Sequence, residues 1–113
     1  MSDVVETFRF LYSRTAPAGV YLVEDLHTAY WNEFGGGLQR EGTFIELCKN
    51  LIDELNADHS RNALAPTAFT RSTLSMHFYD SVVVFERGRH LPKKDVRISG
   101  RSSLIKGLLR SKQ

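Results

Sequence analysis

An α/β domain is the fold class that the sequence predicts, and three observations carry it. Residues 43–55 join a capping pattern to an apolar stripe of helical period. Residues 20–23 form an uninterrupted apolar run behind Pro17 and Gly19, and residues 73–85 hold two strand-like segments on either side of a short turn.

The elements follow in order. Asp3 is placed to cap a first helix, with Glu6 in the reciprocal position three residues on, and Val4, Phe8, Leu11 and Tyr12 fall on one face. That helix ends near Arg14, where Thr15-Ala-Pro-Ala-Gly19 turns the chain into the strand Val20–Val23. A continuous apolar run of this kind reads as a central strand covered on both faces, as in parallel sheets. Ligands of such sheets collect at the carboxyl ends of the strands. Here that end is followed at once by Glu24, Asp25, His27, Tyr30 and Trp31.

Asn32–Gly37 contains three consecutive glycines, which favour a mobile or tightly turned segment. It has neither the G-x-G-x-x-G spacing nor the Lys-Ser/Thr of a phosphate loop, so it reads as a lid or connector. Thr43 and Glu46 then form a capping box, and Phe44, Leu47, Cys48, Leu51 and Leu55 trace the face of a second helix. Asn56–Thr70 is polar, contains Pro66 and reads as an irregular connection. Thr73–Phe78 alternates, with Leu74, Met76 and Phe78 on one face, and Val82–Phe85 follows after Tyr79-Asp80-Ser81, so the two strands are antiparallel. Ser103–Leu109 has the pattern of one further, weak helix. The expected arrangement has three layers, one parallel-type strand, an antiparallel strand pair and two flanking helices.

At 113 residues this is one small domain. No apolar stretch approaches the ~20 residues of a membrane helix, and Met1-Ser2-Asp3 lacks the basic-then-apolar layout of a signal peptide, which makes the cytoplasm the default location. Cys48 is the only cysteine, so an intrachain disulfide is impossible, and its apolar helical face marks it as a core residue. The net charge of +2 conceals a division: residues from Arg87 onward carry +8, leaving −6 for Met1–Glu86. This divides the chain into a domain over 1–86 and a basic tail over 87–113. No aromatic residue follows Arg87 to stack on bases, which argues against a nucleic-acid partner.

With this order in place, the chain resembles the C-terminal half of a class I S-adenosylmethionine-dependent methyltransferase, a Rossmann-like fold that closes with an antiparallel strand pair. It is most similar to the metal-dependent sugar O-methyltransferases of macrolide biosynthesis. The segments that carry the resemblance are Ala18–Trp31, with its Glu-Asp-Leu-His-Thr core, the helix Phe44–Leu55, and Met76–Glu86. The resemblance implies S-adenosylmethionine and Mg²⁺ as cofactors and a sugar or small molecule as acceptor. It also implies that the glycine-rich cofactor loop and the ribose-binding acid lie upstream of Asp3, so no residue here is assigned to the cofactor.

Adjacent carboxylates suit a hard cation, and Glu24 and Asp25 offer two oxygen ligands to Mg²⁺. Against this, neighbouring residues of a strand point to opposite faces, so both reach one ion only where the strand has ended or bulged. By resemblance the two match the family's metal pair, whose third carboxylate ligand and catalytic histidine come from the upstream segment. An imidazole suits a base, which makes His27 a candidate, although a polar loop histidine is more often merely exposed. Tyr30 and Trp31 suit a stacking wall for a sugar ring, or an anchor for the glycine loop. His59, His77 and His90 have no cluster spacing and are given no role. Two functions follow: a methyltransferase-family protein without its cofactor-binding half, inactive alone, or a noncatalytic interaction module derived from the fold. An unpaired strand edge in either case predicts a homo-oligomer or an N-terminal partner chain.

Overall fold

The computed structural model describes residues 2–93. Within them run α1 (Ser2–Leu11), β1 (Gly19–Val23), α2 (Phe44–Leu55), α3 (Ala68–Ser72), β2 (Thr73–Tyr79) and β3 (Val82–Arg87), connected by short 3₁₀ turns. The basic residues beyond Lys93, and the helix expected over Ser103–Leu109, lie outside the described residues.

The sheet has the order β1-β3-β2, and both ladders are antiparallel. The expected β2–β3 hairpin is present, turning through Asp80 and Ser81, with Ser81 at φ 62°. β1, read as a parallel-type central strand, is instead an edge strand bonded to β3 and parallel only to the more distant β2. Its expected cover on both faces is likewise corrected. Tyr21 and Val23 pack on the core, while Val20 is 66% and Leu22 50% exposed.

The core explains this asymmetry. Phe8 and Tyr12 from the first helical segment, Phe44, Leu47, Cys48 and Leu51 from α2, and Phe69 from α3 form one buried cluster with Val83 and Phe85. All these helical residues therefore meet the Tyr21–Val83–Phe85 face of the sheet, so the described residues form two layers rather than three. Phe85 sits at the centre, its ring 5.0 Å from Phe8, 5.5 Å from Tyr12 and 6.0 Å from Phe69.

α2 forms as its sequence predicts. The Thr43 hydroxyl accepts from the Glu46 N–H, which supplies one half of the box, and the predicted stripe faces the core. Asp3, expected as a cap, is inside the first turn of α1, where its charge complements the helix dipole. Leu11 turns outward, and Val4 and Val5 pack beside Phe8. In β2 the expected alternation shifts at a bulge between Thr73 and Ser75. Thr73 is consequently fully buried opposite Arg87, and Leu74 is turned out.

The segment expected to be irregular, Asn56–Thr70, contains a 3₁₀ turn at Ala57–His59 and opens α3 with a complete capping box of Thr67 and Thr70. The Thr70 hydroxyl also donates to the Glu54 carbonyl at 2.6 Å, tying α3 to the end of α2. Arg71 grips Asp58 through two 2.7 Å hydrogen bonds, and this guanidinium holds the Asp58 carboxyl down to about 2. A carboxyl depressed in the folded state stabilises it above the ordinary value of 3.8, and that contribution is lost as pH falls through about 2. Urea midpoints measured across this range should show wild type losing stability more steeply than Asp58→Asn, the two curves converging near the lower limit.

Candidate functional site

Glu24 and Asp25 sit where β1 ends, and both are exposed. Asp25 adopts the left-handed conformation at φ 59°, which aspartate tolerates better than most residues, and it starts the 3₁₀ turn Leu26–Tyr30. The chain thus leaves the β alternation between the two carboxylates. The constraint that would hold them on opposite faces does not apply here.

The turn is pinned across the sheet end by the β2–β3 hairpin. The Leu26 N–H donates to the Ser81 carbonyl at 2.9 Å, and the His27 N–H reaches the Ser81 hydroxyl at 3.2 Å. The same hydroxyl lies 2.5 Å from His27 Nδ1, so one serine fixes both the backbone and the ring of His27. The imidazole also packs on Trp31 at 4.9 Å, and Trp31 continues onto Phe34 at 5.9 Å.

The glycine segment is tightly folded onto this turn. Gly37 N–H donates to the Ala29 carbonyl at 2.8 Å, and a Cβ on Gly36 would fall 2.2 Å from that same oxygen, so only glycine fits there. This is the connector reading of Asn32–Gly37 in structural terms.

Tyr30 and Trp31, proposed together as a wall, face different surroundings. Trp31 belongs to the His27–Phe34 cluster. Tyr30 borders a groove of about 420 Å³ between α2, the Leu26–Tyr30 turn and the hairpin tip. Leu26 and His27 line the same groove, which begins one residue beyond Asp25. Its other walls, Ile45 and Ile52 of α2 and Phe78 and Tyr79 of the hairpin, carry no motif. A signal for them existed in the sequence: Ile45 and Ile52 form a second apolar row on α2, and Phe78-Tyr79 puts two aromatics next to a turn.

Among the described residues no group of three or more His, Cys, Asp or Glu side chains is arranged to hold a metal ion. Glu24 and Asp25, the expected metal pair, are two exposed carboxylates and belong to no such group. Cys48 is buried, and burial pushes its thiol up to about 12, so it is a core residue without nucleophilic character. No helix among the described residues is long and apolar enough to cross a membrane.

No protein-family model matches the chain. It is 36% identical over 97 residues to mycinamicin VI 2''-O-methyltransferase of Micromonospora griseorubida, covering 79% of this chain and 24% of that protein. It is 36% identical over 89 residues to 8-demethyl-8-alpha-L-rhamnosyl tetracenomycin-C 2'-O-methyltransferase of Streptomyces olivaceus, covering 76% and 24%. Demethylmacrocin O-methyltransferase of Streptomyces fradiae matches at 33% over 90 residues, covering 73% and 22%. Among solved structures, the MycE methyltransferase of the mycinamycin biosynthetic pathway in complex with Mg and SAH matches with a TM-score of 0.68 at 31% identity, over 88% of this chain and 29% of that one. A second crystal structure of MycE, with Mg, SAH and mycinamycin VI, gives 0.66 at 32% identity, over 92% and 28%. The chain spans about a quarter of the length of the curated relatives it matches. Its α/β fold is thus part of a methyltransferase fold, and the chain is homologous, over about a quarter of their length, to O-methyltransferases of macrolide and sugar pathways.

Proposed function

We propose that these 113 residues supply the acceptor-side carboxylates of a sugar O-methyltransferase, and that on their own they do not transfer a methyl group. The structural match to a methyltransferase solved with Mg and SAH, at 31% identity, carries this reading. When bound, S-adenosylmethionine supplies the methyl group and Mg²⁺ lowers the pKa of an acceptor hydroxyl. Glu24 and Asp25 would hold the cation, their exposed carboxylates being released from strand alternation by the left-handed Asp25. Trp31, held against His27, presents an aromatic surface to the acceptor ring. His27 itself is tied through Nδ1 to Ser81, which leaves Nε2 as the nitrogen able to exchange a proton at the acceptor.

Calorimetric titration of the chain with Mg²⁺ tests the carboxylate pair. Weak but measurable heat is expected for wild type, and none for the Glu24→Gln/Asp25→Asn double variant. Identical titrations for the two proteins would remove the metal-site reading. Binding of S-adenosylmethionine to the isolated chain would overturn the view that its partner half is needed.

A second reading, a noncatalytic association module, is favoured by one observation. β1 is an edge strand, and the sheet face behind it leaves Val20 and Leu22 half or more exposed. Sedimentation at rising concentration should then show a dimer or larger species. A monomer throughout would count against this reading.

A further inference from the structure

The groove between α2 and the hairpin tip has an apolar lining and unmet acid at its rim. Ile45 and Ile52 line it together with Phe78, Tyr79 and Tyr30, and all but Ile45 of these are more than 40% exposed. Lys49 is already paired with Glu46 at 2.7 Å, whereas Asp80 on the hairpin tip makes no hydrogen bond or ion pair among the described residues. Asp53, next to Ile52 on α2, is likewise exposed and has no ion pair among them. Such a surface is complementary to an apolar helix face flanked by cations.

The chain itself carries a segment of this kind. After β3 the Gly88 N–H donates to the Ser72 carbonyl and the His90 N–H to the Arg71 carbonyl, both at 3.1 Å, and the Lys93 N–H donates to the Asp58 carboxylate at 3.3 Å. The backbone is thereby led past α3 to the 3₁₀ turn that follows α2, close to the Ile52 end of the groove. Residues 94–113 hold six Lys and Arg against Asp95, a net +5, while residues 1–93 carry −3. Leu104, Ile105, Leu108 and Leu109 have the i, i+1, i+4, i+5 spacing of one helical face, and Arg101, Lys106, Arg110 and Lys112 stand around them in the sequence. A helix this short is marginal in water, so its apolar face needs a surface to pack on. Lys94–Ser102 spans up to about 30 Å, more than the ~18 Å length of α2, which puts the whole groove within reach.

We propose that residues 103–110 seat in the groove of their own chain. Leu104, Ile105, Leu108 and Leu109 cover Ile52, Phe78 and Tyr79, and the neighbouring cations meet Asp80 and Asp53. Tethering by a short linker holds the segment at an effective concentration in the millimolar range, which favours its own groove over that of a second copy.

The test is disulfide trapping in the full 113-residue chain. Leu108→Cys is combined with Ile52→Cys or Tyr79→Cys in the groove, or with Leu22→Cys on the bare sheet face, all three being exposed sites, and buried Cys48 does not compete. With at least one of the groove positions an intrachain disulfide should form about tenfold or more faster than with Leu22→Cys, which the segment is also long enough to reach. Adding Leu104→Asp/Ile105→Asp to the faster pair should slow it about tenfold, and adding Asp80→Lys should slow it severalfold. Equal rates at the groove and the sheet face, disulfides formed only between chains, or a rate indifferent to both sets of substitutions would each overturn the proposal.

Discussion

Phe85→Ala is expected to lower the stability of the fold by about 3–5 kcal/mol, the range for emptying a phenylalanine site in a packed core. Phe85 is fully buried on the central strand, and its ring meets those of Phe8, Tyr12, Tyr21 and Phe69 at 5.0–6.3 Å. These four come from α1 and its 3₁₀ extension, β1 and α3, so the cavity left by alanine touches most elements at once and cannot be refilled by one moving part. A domain of this size is stabilised by about 5–15 kcal/mol in total, so the loss takes a large share of it. The urea midpoint should fall accordingly, with the variant partly unfolded in the absence of denaturant. Leu22→Ala, one strand away but half exposed on the bare face, should shift the midpoint little. Comparable losses at the two positions would mean that the second sheet face is packed in solution.

That contrast marks where the sequence was informative. α2 and the β2–β3 hairpin were legible because their signals are local: Thr43 three residues before Glu46, an apolar period of helical spacing, and a polar Asp80-Ser81 pair between strand-like runs. β1 was legible as a strand but not in its setting. Val-Tyr-Leu-Val records that a strand is apolar on both sides, not that helices cover both sides of it in the described residues. The same composition serves an edge strand with one bare face. The bulge at Leu74 and the five-residue α3 are too short to impose a period, although the Thr67–Thr70 box was there to be seen. In the candidate site, Glu24, Asp25 and His27 were visible as neighbours in the chain. Ser81, which fixes His27 from 54 positions away, was not, and no spacing rule could supply a contact made by folding. The groove was missed for a related reason. Ile45 and Ile52 become a groove wall only when folding brings Phe78 and Tyr79 to the same concavity.

Arg87→Met should destabilise the fold by about 2–4 kcal/mol, although it exchanges a charged residue for an apolar one inside the protein. Arg87 is only 6% exposed, and among the described residues it makes no ion pair. Its charge is met instead by dipoles and a ring. Nη1 lies 2.7 Å from the Ala16 carbonyl and 2.8 Å from both the carbonyl and hydroxyl of Thr15, and the guanidinium stands 4.6 Å from the Tyr12 ring. The side chain thereby ties the α1–β1 connection to the end of β3, at the opposite end of β1 from Glu24 and Asp25. Methionine fills much of the volume but gives up the hydrogen bonds to Thr15 and Ala16 and the guanidinium's place over the Tyr12 ring, which is why the loss exceeds that of a surface charge. Tyr12 belongs to the same network. Its hydroxyl lies 2.5 Å from Thr73 Oγ1, and burial raises its pKa even though Thr73 and Arg87 act to lower it. Tyr12→Phe should therefore cost about 1–3 kcal/mol by stranding the buried Thr73 hydroxyl. In the double variant the two losses should fall short of their sum, since each substitution already loosens the packing that the other depends on. Strict additivity in urea melts would show that the arginine and the tyrosine act as separate anchors.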